Sequence, residues 1–568
     1  MKSKKILAAI LALTIATTFA LSACGGTTSP ATSPPATSPA NSPTAAPDTS
    51  SPSADNSDLA RQIAASALAY SAQVQSEMKS GATTSKDSLV FAAVADPGKI
   101  SLDNLFDMTQ YPFATMCVEY FIRWDFTNNK FYSPVCDSYE EDADNMGVTF
   151  HIHPGIKMQD GETFKSSDLI TSIEAQRKHS GLGWQLDFVD LENSKIIDDY
   201  NVDIRFNKLN GVWESSFEMF TIISGKAYNA ANGDDSFYQA PVSPAPYKVT
   251  EWVPGNHITI TAFDDYYKGA PPIKTVTMKI ISDETTAYME LKNGNIDLLW
   301  NLSADQVQSV YSDNGNLKLL LTDSNIINYI GMNCANKALA DFRVRQAIYL
   351  AVNRDDIAQG AFDGLVSPIN SIMTKNSIGY DTDYDTNSPF PAPDIAKAKD
   401  LMAQAGYGDG LTLRILAEST TNFQLVTEQL ASMLSQIGIT LQPELTDYAT
   451  QNAKLQDQSA YDLYLSFSQA CDESVATIDN PMLFGMTHWD LSSDGSGAGF
   501  QAIWDQIRVT PDLTQRAALY KQAQEYFFDK GLYWLPLNEN QSYVGVNKDL
   551  TGLRFNGSLI HFEGAYFR

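Results

Sequence analysis

The sequence predicts an α/β fold for the part of the chain that begins at Ser88. Short runs rich in β-branched and aromatic residues alternate there with segments whose apolar residues recur every three or four positions. The chain has 568 residues, of which 43% are hydrophobic and 11% aromatic. At about 100–200 residues per domain, this length corresponds to roughly two to four domains with ample core. A largely disordered or fibrous protein is therefore excluded.

The predicted strands and helices follow one another along the chain. Strands are expected at residues 88–94, 147–152, 257–263 and 273–281. Helices are expected at residues 168–176, 341–351, 394–405, 424–437 and 513–528. Ser166 or Ser167 would cap the first of these helices, and Gly406 and Gly438 follow two others in the manner of C-terminal capping glycines.

The charge balance bears on the partners of the chain. There are 39 Lys and Arg residues against 67 Asp and Glu residues, which gives a formal net charge of −28 at pH 7. Nucleic acids and anionic lipid surfaces attract a basic protein surface, and this composition does not supply one. We therefore expect no nucleic-acid partner, and contact with a membrane only through a lipid anchor.

The first 23 residues are typical of the signal peptide of a lipoprotein. Three lysines within the first five residues precede an uncharged apolar run over residues 6–21, which is too short to span a bilayer comfortably. The run ends in small residues before Cys24, which is similar to the lipobox of bacterial lipoproteins. That similarity implies cleavage before Cys24 and lipidation of its sulfur. An ordinary secretory signal with an incidental cysteine is the alternative.

Residues 24–57 are predicted to form a tether. They are mostly Thr, Ser, Ala and Pro and contain no aromatic or basic residue, so they cannot bury enough apolar surface to offset the entropy of ordering. A flexible coil of this length spans on the order of 30 Å. The tether would hold a folded domain near the membrane surface.

Residues 58–87 are predicted to be a leading helix followed by a loop. The apolar residues of this helix fall three or four positions apart and form one stripe: Leu59, Ile63, Ala67, Tyr70, Val74 and Met78. We expect the stripe to dock onto the main body. An independent interaction helix is the alternative.

Histidine and aspartate clusters predict no metal site. His151 and His153 lie on one face of a strand, but no third ligand is identifiable, so exposed strand residues are expected rather than a metal centre. Residues 381–387 alternate like the start of a calcium loop, yet Thr386 and Ala392 stand where such a loop needs glycine and glutamate. A solvated loop is expected there.

The cysteines allow two interpretations. Apart from Cys24, they are Cys117, Cys136, Cys334 and Cys471, with no Cys-x-x-Cys spacing. Because export permits disulfides, Cys117 and Cys136 are a candidate pair, and free buried thiols are equally compatible with the sequence.

Enzyme motifs are missing from the sequence. It has no Gly-x-Ser-x-Gly elbow, no Walker loop, no dinucleotide-binding glycine motif and no His-Glu-x-x-His. The glycine-rich residues 493–499 match no phosphate-binding spacing and are predicted to be a mobile loop. We therefore expect neither an enzyme nor a cofactor.

One segment resembles the signature of a known family. Residues 148–174 read VTFHIHPGIKMQDGETFKSSDLITSIE. They are similar to the strand, glycine turn and helix of the bacterial extracellular solute-binding proteins of family 5, the peptide and nickel type that serve ABC importers. Further similar elements follow in the family's order at residues 246–252, 264–269, 294–298, 329–333, 341–355, 396–406 and 436–439. The resemblance covers roughly residues 88–568.

This resemblance implies a periplasmic-binding-protein-like fold of type II. Two α/β lobes would be joined by two crossing strands, near residues 326–333 and 533–537, with a hinged cleft between the lobes. Lobe 1, which carries an extra subdomain, would comprise residues 88–325 and 538–568. Lobe 2 and the hinge crossings would comprise residues 326–537.

The resemblance also implies ligand-binding residues. Asp472 stands where an aspartate of the family meets the α-amine of a peptide, a charge-assisted contact, although an acidic loop residue is the alternative. Gln469 stands where the family carries an aromatic residue. Trp300 and Tyr329 are further candidates, for which core packing is the alternative.

The implied function is capture of a solute, with a peptide preferred, and its delivery to the permease of an ABC transporter. The protein would be a monomer, lipid-anchored on the extracytoplasmic side of the membrane. A sensing or adhesion lipoprotein, or a binder of a non-peptide solute, remains an alternative because a fold does not by itself assign function.

Overall fold

The computed structural model describes residues 54–79, 81–100, 111–125, 130–180, 183–218, 220–313, 315–375, 377–469, 486–556 and 559–568. These residues belong to one compact unit. Cys24, the predicted signal peptide and all but the last few residues of the predicted tether lie outside the described residues.

The helices of this part of the chain are, in order, α1 (Ala54–Ser76), α2 (Tyr111–Cys117), α3 (Ser166–His179), α4 (Trp213–Glu218), α5 (Gly225–Ala230), α6 (Glu284–Lys292), α7 (Ala304–Ser312), α8 (Phe342–Ala351), α9 (Arg354–Phe362), α10 (Asp383–Thr386), α11 (Ile395–Gln404), α12 (Thr421–Ser435), α13 (Tyr448–Leu455), α14 (Ser496–Arg508) and α15 (Leu513–Tyr526).

The strands are β1 (Ser88–Ala93), β2 (Glu119–Tyr120), β3 (Arg123–Asp125), β4 (Lys130–Tyr132), β5 (Cys136–Glu141), β6 (Gly147–Ile152), β7 (Val189–Ile196), β8 (Asn201–Phe206), β9 (Thr221–Ile222), β10 (Tyr247–Val253), β11 (His257–Ala262), β12 (Thr275–Ile280), β13 (Leu298–Leu299), β14 (Leu317–Met332), β15 (Ser367–Pro368), β16 (Leu411–Glu418), β17 (Ile439–Thr446), β18 (Leu463–Gln469), β19 (Trp534–Asn547), β20 (Leu550–Thr551), β21 (Arg554–Asn556), β22 (Leu559–His561) and β23 (Tyr566–Phe567).

One large mixed sheet organises the fold. Its strand order is β10-β11-β12-β1-β13-β19-β14-β18-β16-β17, and β15 pairs with β19 outside this path. At one end β1 runs parallel to β12 and β13, and at the other end β16 runs parallel to β17 and β18. Helices connect the parallel strands, so the α/β prediction is confirmed.

Two long strands, β14 and β19, join the two parallel ends. They pair antiparallel from Leu317 opposite Asn547 to Gly331 opposite Trp534. The first half of β14 pairs only with β19, whereas its second half also pairs with β18, from Ile326 onward. The register shifts between Asp323 and Ile327, at the point where β14 passes from one end of the sheet to the other. The predicted crossings at 326–333 and 533–537 correspond to the second half of β14 and to the start of β19.

A small second sheet forms the extra subdomain, with strand order β5-β6-β8-β7. Phe150 on β6 lies at its centre, with ring centroids 4.7 Å from Phe121 and 5.8 Å from Trp213. The helix α3 begins at Ser166, and the Asp168 carboxylate accepts a hydrogen bond from the Lys165 backbone N–H at 2.9 Å. The prediction that Ser166 or Ser167 caps this helix is therefore wrong, because Asp168 folds back onto Lys165 and draws both serines into the first turn.

The leading helix α1 docks onto the main body, as predicted, and begins four residues earlier than expected. Ile63, Ala67 and Val74 are buried. The Ser71 hydroxyl donates to the Leu321 carbonyl oxygen at 2.9 Å and accepts from the Leu321 N–H at 2.8 Å. Leu321 lies on the half of β14 that β18 does not cover, so α1 satisfies an otherwise open strand edge.

The glycine-rich segment at 493–499 is not the mobile loop that we expected. Its second half is the first turn of α14, which begins at Ser496. Gly497 lies against the backbone of Trp489, and Gly499 against the ring of Tyr526. These two glycines allow a close approach of neighbouring elements, which is a packing role.

Candidate functional site

Three amide side chains gather where β14 and β19 cross. Asn328 Nδ2 donates to Asn540 Oδ1 at 2.7 Å, and Asn540 Nδ2 donates to Asn328 Oδ1 at 3.3 Å. Asn538 Nδ2 also donates to Asn540 Oδ1, at 2.9 Å. Asn328 and Asn538 are buried. Because buried amides are costly unless they are hydrogen-bonded, this cluster fixes how the two crossing strands pair.

A pocket of about 210 Å³ lies at the carboxyl ends of β1, β12 and β13. Ala93, Ile281 and Trp300, which line it, end or directly follow these three parallel strands. Ala287 of α6 closes one side. In open α/β sheets, ligands bind in the crevice at the carboxyl ends of the strands. We call this cavity the Trp300 pocket.

The ring of Trp300 is held by edge-to-face contacts. Its centroid lies 5.0 Å from that of Phe91, with the two planes at 72°, and 6.3 Å from that of Phe562 at 90°. Trp300 is half-buried. The structure therefore places this predicted ligand-binding residue partly in the core and partly in the wall of a pocket.

The wall of the Trp300 pocket is tied to a crossing strand. Asn301, which also lines the pocket, accepts a hydrogen bond from the Ser542 hydroxyl of β19 at 2.9 Å. The next N–H, that of Leu302, donates to the Tyr543 carbonyl oxygen at 3.1 Å. Asn301 has a φ of 55°, a left-handed conformation that asparagine tolerates better than most residues. The pocket is thus connected to the strand that carries Asn538 and Asn540.

Tyr329 lies in the core. It is 2% exposed, and its ring centroid is 4.8 Å from that of Trp534 and 5.8 Å from that of Tyr464. The ring supports the crossing strands, because Trp534 is the first residue of β19 and Tyr464 belongs to β18. The structure does not bring Tyr329 to the Trp300 pocket.

Of the two remaining predicted ligand-binding residues, the described part of the chain includes Gln469. Gln469 ends β18, and its backbone pairs with that of Ile326 on β14. Asp472 lies outside the described residues. Ile326 lies two positions along β14 from Asn328, the residue that pairs with Asn538. The backbone of Gln469 is therefore close to the amide cluster.

The residues weighed as metal ligands have other partners. His151 Nδ1 lies 2.6 Å from Asn201 Oδ1, and His153 Nδ1 lies 2.7 Å from Asp137 Oδ1. Asp381 pairs with Lys521 at 3.1 Å. Residues 383–386 form the short helix α10 rather than a loop. Within the described ranges, no three His, Cys, Asp or Glu side chains are grouped so that they could hold a metal ion.

The candidate disulfide does not form, and Cys117, Cys136 and Cys334 are free thiols. Burial raises the pKa of all three, to about 12 for Cys136 and about 11 for Cys334. Thiols held in the protonated form react slowly. The structure thus favours the second interpretation of the cysteines, buried thiols.

The extra subdomain also contacts the helix pair α14–α15. The Gly211 N–H, just before α4, donates to the Arg508 carbonyl oxygen at 2.7 Å. The buried guanidinium of Arg516 donates to the Gly211 carbonyl oxygen and, at 3.0 Å, to that of Thr510. We call these four residues the subdomain bridge. It joins the small sheet to helices that lie between β18 and β19 in the chain.

Two α/β ends joined by a pair of crossing strands, with a pocket at the carboxyl edge beside the crossing, define a two-lobed binding protein for small solutes. The chain belongs to the family described as "Bacterial extracellular solute-binding proteins, family 5 Middle", whose model matches residues 130–474. The resemblance seen in the sequence is thereby confirmed.

Individual proteins agree with this assignment. The chain is 25% identical over 451 residues, covering 77% of its length and 86% of the relative's, to the glutathione-binding protein GsiB of Pectobacterium atrosepticum. The solved structure of NikA from Brucella suis in complex with Fe(III)-EDTA superposes with a TM-score of 0.74 at 19% identity, covering 85% of this chain and 100% of NikA. The oligopeptide-binding protein AppA from Bacillus subtilis, in complex with a nonapeptide, gives 0.69 at 18% identity, covering 86% and 100%.

These comparisons confirm the two-lobed periplasmic-binding-protein fold and a binding protein rather than an enzyme. Among the helices of the described residues, none combines the length and the apolar character needed to cross a bilayer.

Sequence reasoning missed the amide cluster and most of the pocket wall. One signal was available: residues 538–542 read NENQS, a polar run between apolar residues of a single strand. A polar run inside an otherwise buried strand indicates a site where side chains serve something other than core packing. The sequence did not mark Phe91 and Ala287 as pocket residues, because they follow the apolar spacing of ordinary core residues.

Proposed function

We propose that this chain captures a peptide between its two lobes, outside the cytoplasm, and delivers it to the permease of an ABC transporter. The observation that carries the proposal is the Trp300 pocket, which lies at the carboxyl edge of the lobe 1 strands and is tied through Asn301 to β19. A solute held there touches an element connected to the hinge. Its binding would therefore favour one arrangement of the lobes, which a membrane partner can recognise.

The choice of a peptide is supported by the relatives. GsiB is named for glutathione, a tripeptide, and the AppA structure holds a nonapeptide. In this proposal Asp472 provides a carboxylate for the α-amine of the peptide, a charge-assisted hydrogen bond in a cleft that excludes water. Gln469, the last residue of β18, would offer the solute an amide at a position where the family carries an aromatic residue.

The proposed assignment of the lobes follows the crossing strands. Lobe 1 is residues 88–325 and 538–568, and lobe 2 with the hinge crossings is residues 326–537. The boundaries at 325 and 537 fall inside β14 and β19. Both lobes thus share these two strands, and a rotation between the lobes would be absorbed where the register of β14 shifts.

Membrane attachment completes the proposal. A lipid on Cys24 would hold the tether of residues 24–57 at the extracytoplasmic face, and α1 would fasten the end of the tether to lobe 1 through Ser71 and Leu321. One lipid-anchored copy acts as a monomer in this scheme.

Native mass spectrometry of the full chain, purified in detergent, tests the bound solute. We expect small peptides to be released when the protein is unfolded in the gas phase. Asp472→Asn is expected to weaken binding of the same peptides in calorimetry, because it removes the charge that pairs with the amine. Release of a discrete non-peptide mass would contradict the peptide assignment and leave capture of a solute standing.

Anchoring and transport have their own tests. Cys24→Ser should release the protein from the membrane fraction, whereas Cys136→Ser, at a body cysteine, should not. Deletion of the gene in its host should reduce uptake of a labelled tripeptide, and restoration by the full chain should fail with Asp472→Asn. Normal uptake in the deletion strain would instead favour a sensing role.

A further inference from the structure

The lining of the Trp300 pocket has an uneven chemistry. Most of its side chains are apolar, among them Phe91, Ile281, Ala287 and Leu299. Of its three polar members, Asn301 and Glu284 are exposed and Gln306 is half-buried. No Lys, Arg or His occurs among the described residues that line the pocket, so it offers no cation to an anionic group.

The oxygen atoms of the two pocket amides already accept hydrogen bonds. Asn301 Oδ1 accepts from the Ser542 hydroxyl at 2.9 Å, and Gln306 Oε1 accepts from the Ser303 N–H at 3.1 Å. These hydrogen bonds hold the pocket wall in shape. A hydrogen-bond donor of a solute placed deep in the pocket would lose its water and gain little in exchange.

The size of the pocket limits what enters it. Cavities that enclose a whole drug-sized ligand run to about 300–1,000 Å³, whereas a cavity of about 150 Å³ lined by apolar side chains accommodates a benzene ring. At about 210 Å³ the Trp300 pocket is too small for a whole peptide and large enough for one aromatic or branched aliphatic group.

We propose that the Trp300 pocket receives one uncharged apolar group of the captured solute, an aromatic or branched aliphatic side chain when the solute is a peptide, and thereby determines the side-chain preference of the protein. This inference rests on the proposed capture of a solute beside the crossing strands. Trp300 contributes a ring face or edge to that group, and Ala287 sets the depth of the pocket.

Isothermal titration calorimetry of the full chain with three sets of tripeptides tests the proposal. Within each set, one position carries Ala, Leu, Phe, Lys or Glu, and the other two positions stay constant. At one position we expect the peptide with Leu or Phe to bind about tenfold or more tightly than the peptide with Ala. The reason is that each methylene group buried in the pocket adds a favourable free energy of transfer from water. Lys and Glu should bind no better than Ala at that position.

Ala287→Leu places a side chain in the pocket and should reduce the preference for Leu or Phe over Ala to about threefold or less. Ala230→Leu is the matched control, because the same substitution falls on an exposed position of α5 and should leave the preference unchanged. If Ala287→Leu does not fold, Trp300→Ala serves instead, since it opens one wall and should lower the affinity for the Leu and Phe peptides more than for the Ala peptide.

The outcomes separate this inference from the proposed function. Tight tripeptide binding with a side-chain preference that neither pocket variant alters would overturn the inference and leave peptide capture intact. If no tripeptide binds, the solute released from the purified protein decides: one with an aromatic or branched aliphatic group supports the inference, and one that is polar throughout overturns it. The absence of any bound solute in both experiments would overturn the proposed function and this inference with it.

Discussion

Asn328 Nδ2 lies 2.7 Å from Asn540 Oδ1, although the two residues are 212 positions apart in the chain. Asn328 belongs to β14 and Asn540 to β19, the two long strands that join the parallel ends of the sheet. An amide–amide contact is directional, so it specifies one register of β14 against β19 where apolar side chains would tolerate several. The hinge of this protein is therefore defined by polar contacts inside an apolar sheet.

Asn328→Ala removes both hydrogen bonds between Asn328 and Asn540 at a buried position. The loss is expected to lower the free energy of unfolding by about 1–3 kcal/mol, the usual cost of breaking a buried polar pair. Urea denaturation followed by far-ultraviolet circular dichroism measures it. Asn229→Ala, at an exposed position of α5, is the control and should change the value by less than about 0.5 kcal/mol. An equal effect of the two substitutions would contradict a structural role for the cluster.

Ser71→Ala tests the contact of the leading helix with the open edge of β14. The substitution leaves the Leu321 N–H and carbonyl without their side-chain partner, which should cost about 1–3 kcal/mol of stability. Limited proteolysis should then cut near α1 sooner than in the original protein. Ser66→Ala lies on the exposed face of the same helix and serves as the control. Identical proteolysis of both variants would show that α1 is held by its apolar stripe alone.

Gly211→Ala tests the subdomain bridge. A Cβ atom at Gly211 would lie 2.5 Å from the Thr510 backbone nitrogen, so the two segments must separate. We expect a larger radius of gyration in small-angle scattering and faster release of bound solute, because the bridge then no longer links the subdomain to α14–α15. Gly408→Ala is the matched control. A Cβ atom at Gly408 would lie 3.3 Å from its nearest neighbour, Ala403, so the backbone there has to shift by only a few tenths of an ångström. Unchanged scattering and release in Gly211→Ala would exclude the bridge as a constraint on the lobes.

Burial raises the pKa of Glu214 to about 7, against the opposing influence of the Tyr139 hydroxyl and the Arg516 guanidinium, while Glu141 adds to the rise. The folded protein therefore keeps a proton on Glu214 at pH values where the unfolded chain has released it. This contribution to stability is complete below about pH 4.5 and is lost as the pH rises through 7.

Thermal unfolding between pH 5 and pH 8 checks this expectation. The melting temperature of the original protein should fall toward pH 8. Glu214→Gln should reduce this fall, because glutamine stays neutral throughout the pH range. Glu192→Gln, at an exposed position of β7, should leave the profile as it is. A profile that Glu214→Gln does not alter would show that other groups govern it.

The native protein should react slowly with thiol reagents at Cys117, Cys136 and Cys334. Burial raises the pKa of each thiol, so little of the reactive thiolate is present at neutral pH. Alkylation followed by peptide mapping should label all three only after unfolding, and without prior reduction. A Cys117–Cys136 peptide linked by a disulfide would contradict the free thiols of the structure.

Local patterns predicted several elements of the fold. The helices at 341–351 and 394–405 and the strands at 88–94 and 147–152 agree with the structure to within a residue or two. Their signals are local, since the spacing of apolar residues and the capping residues lie within the element itself. The docking of α1 could also be predicted from a local signal, because its apolar stripe needed another apolar surface to pack against.

Long-range contacts escaped prediction. Asn328 and Asn540 carry no local mark of their pairing, and α14 begins inside a glycine-rich run because Gly497 and Gly499 pack against Trp489 and Tyr526. Trp300 and Tyr329 looked equivalent in the sequence, yet the structure places one in a pocket wall and the other in the core. The difference depends on which strand neighbours each of them, and periodicity does not encode that.

The position of β19 in the sheet also bears on how the chain is made. β19 lies between β13 and β14 in the finished sheet, but it follows β14 by about two hundred residues in the chain. Until the ribosome has added residue 547, β13 and the first half of β14 lack the pairing that β19 provides, and the largest sheet cannot close. Contacts of such separation form slowly. A strand order of this kind would delay closure of the sheet until synthesis is nearly complete, which is compatible with the export that we propose for the chain.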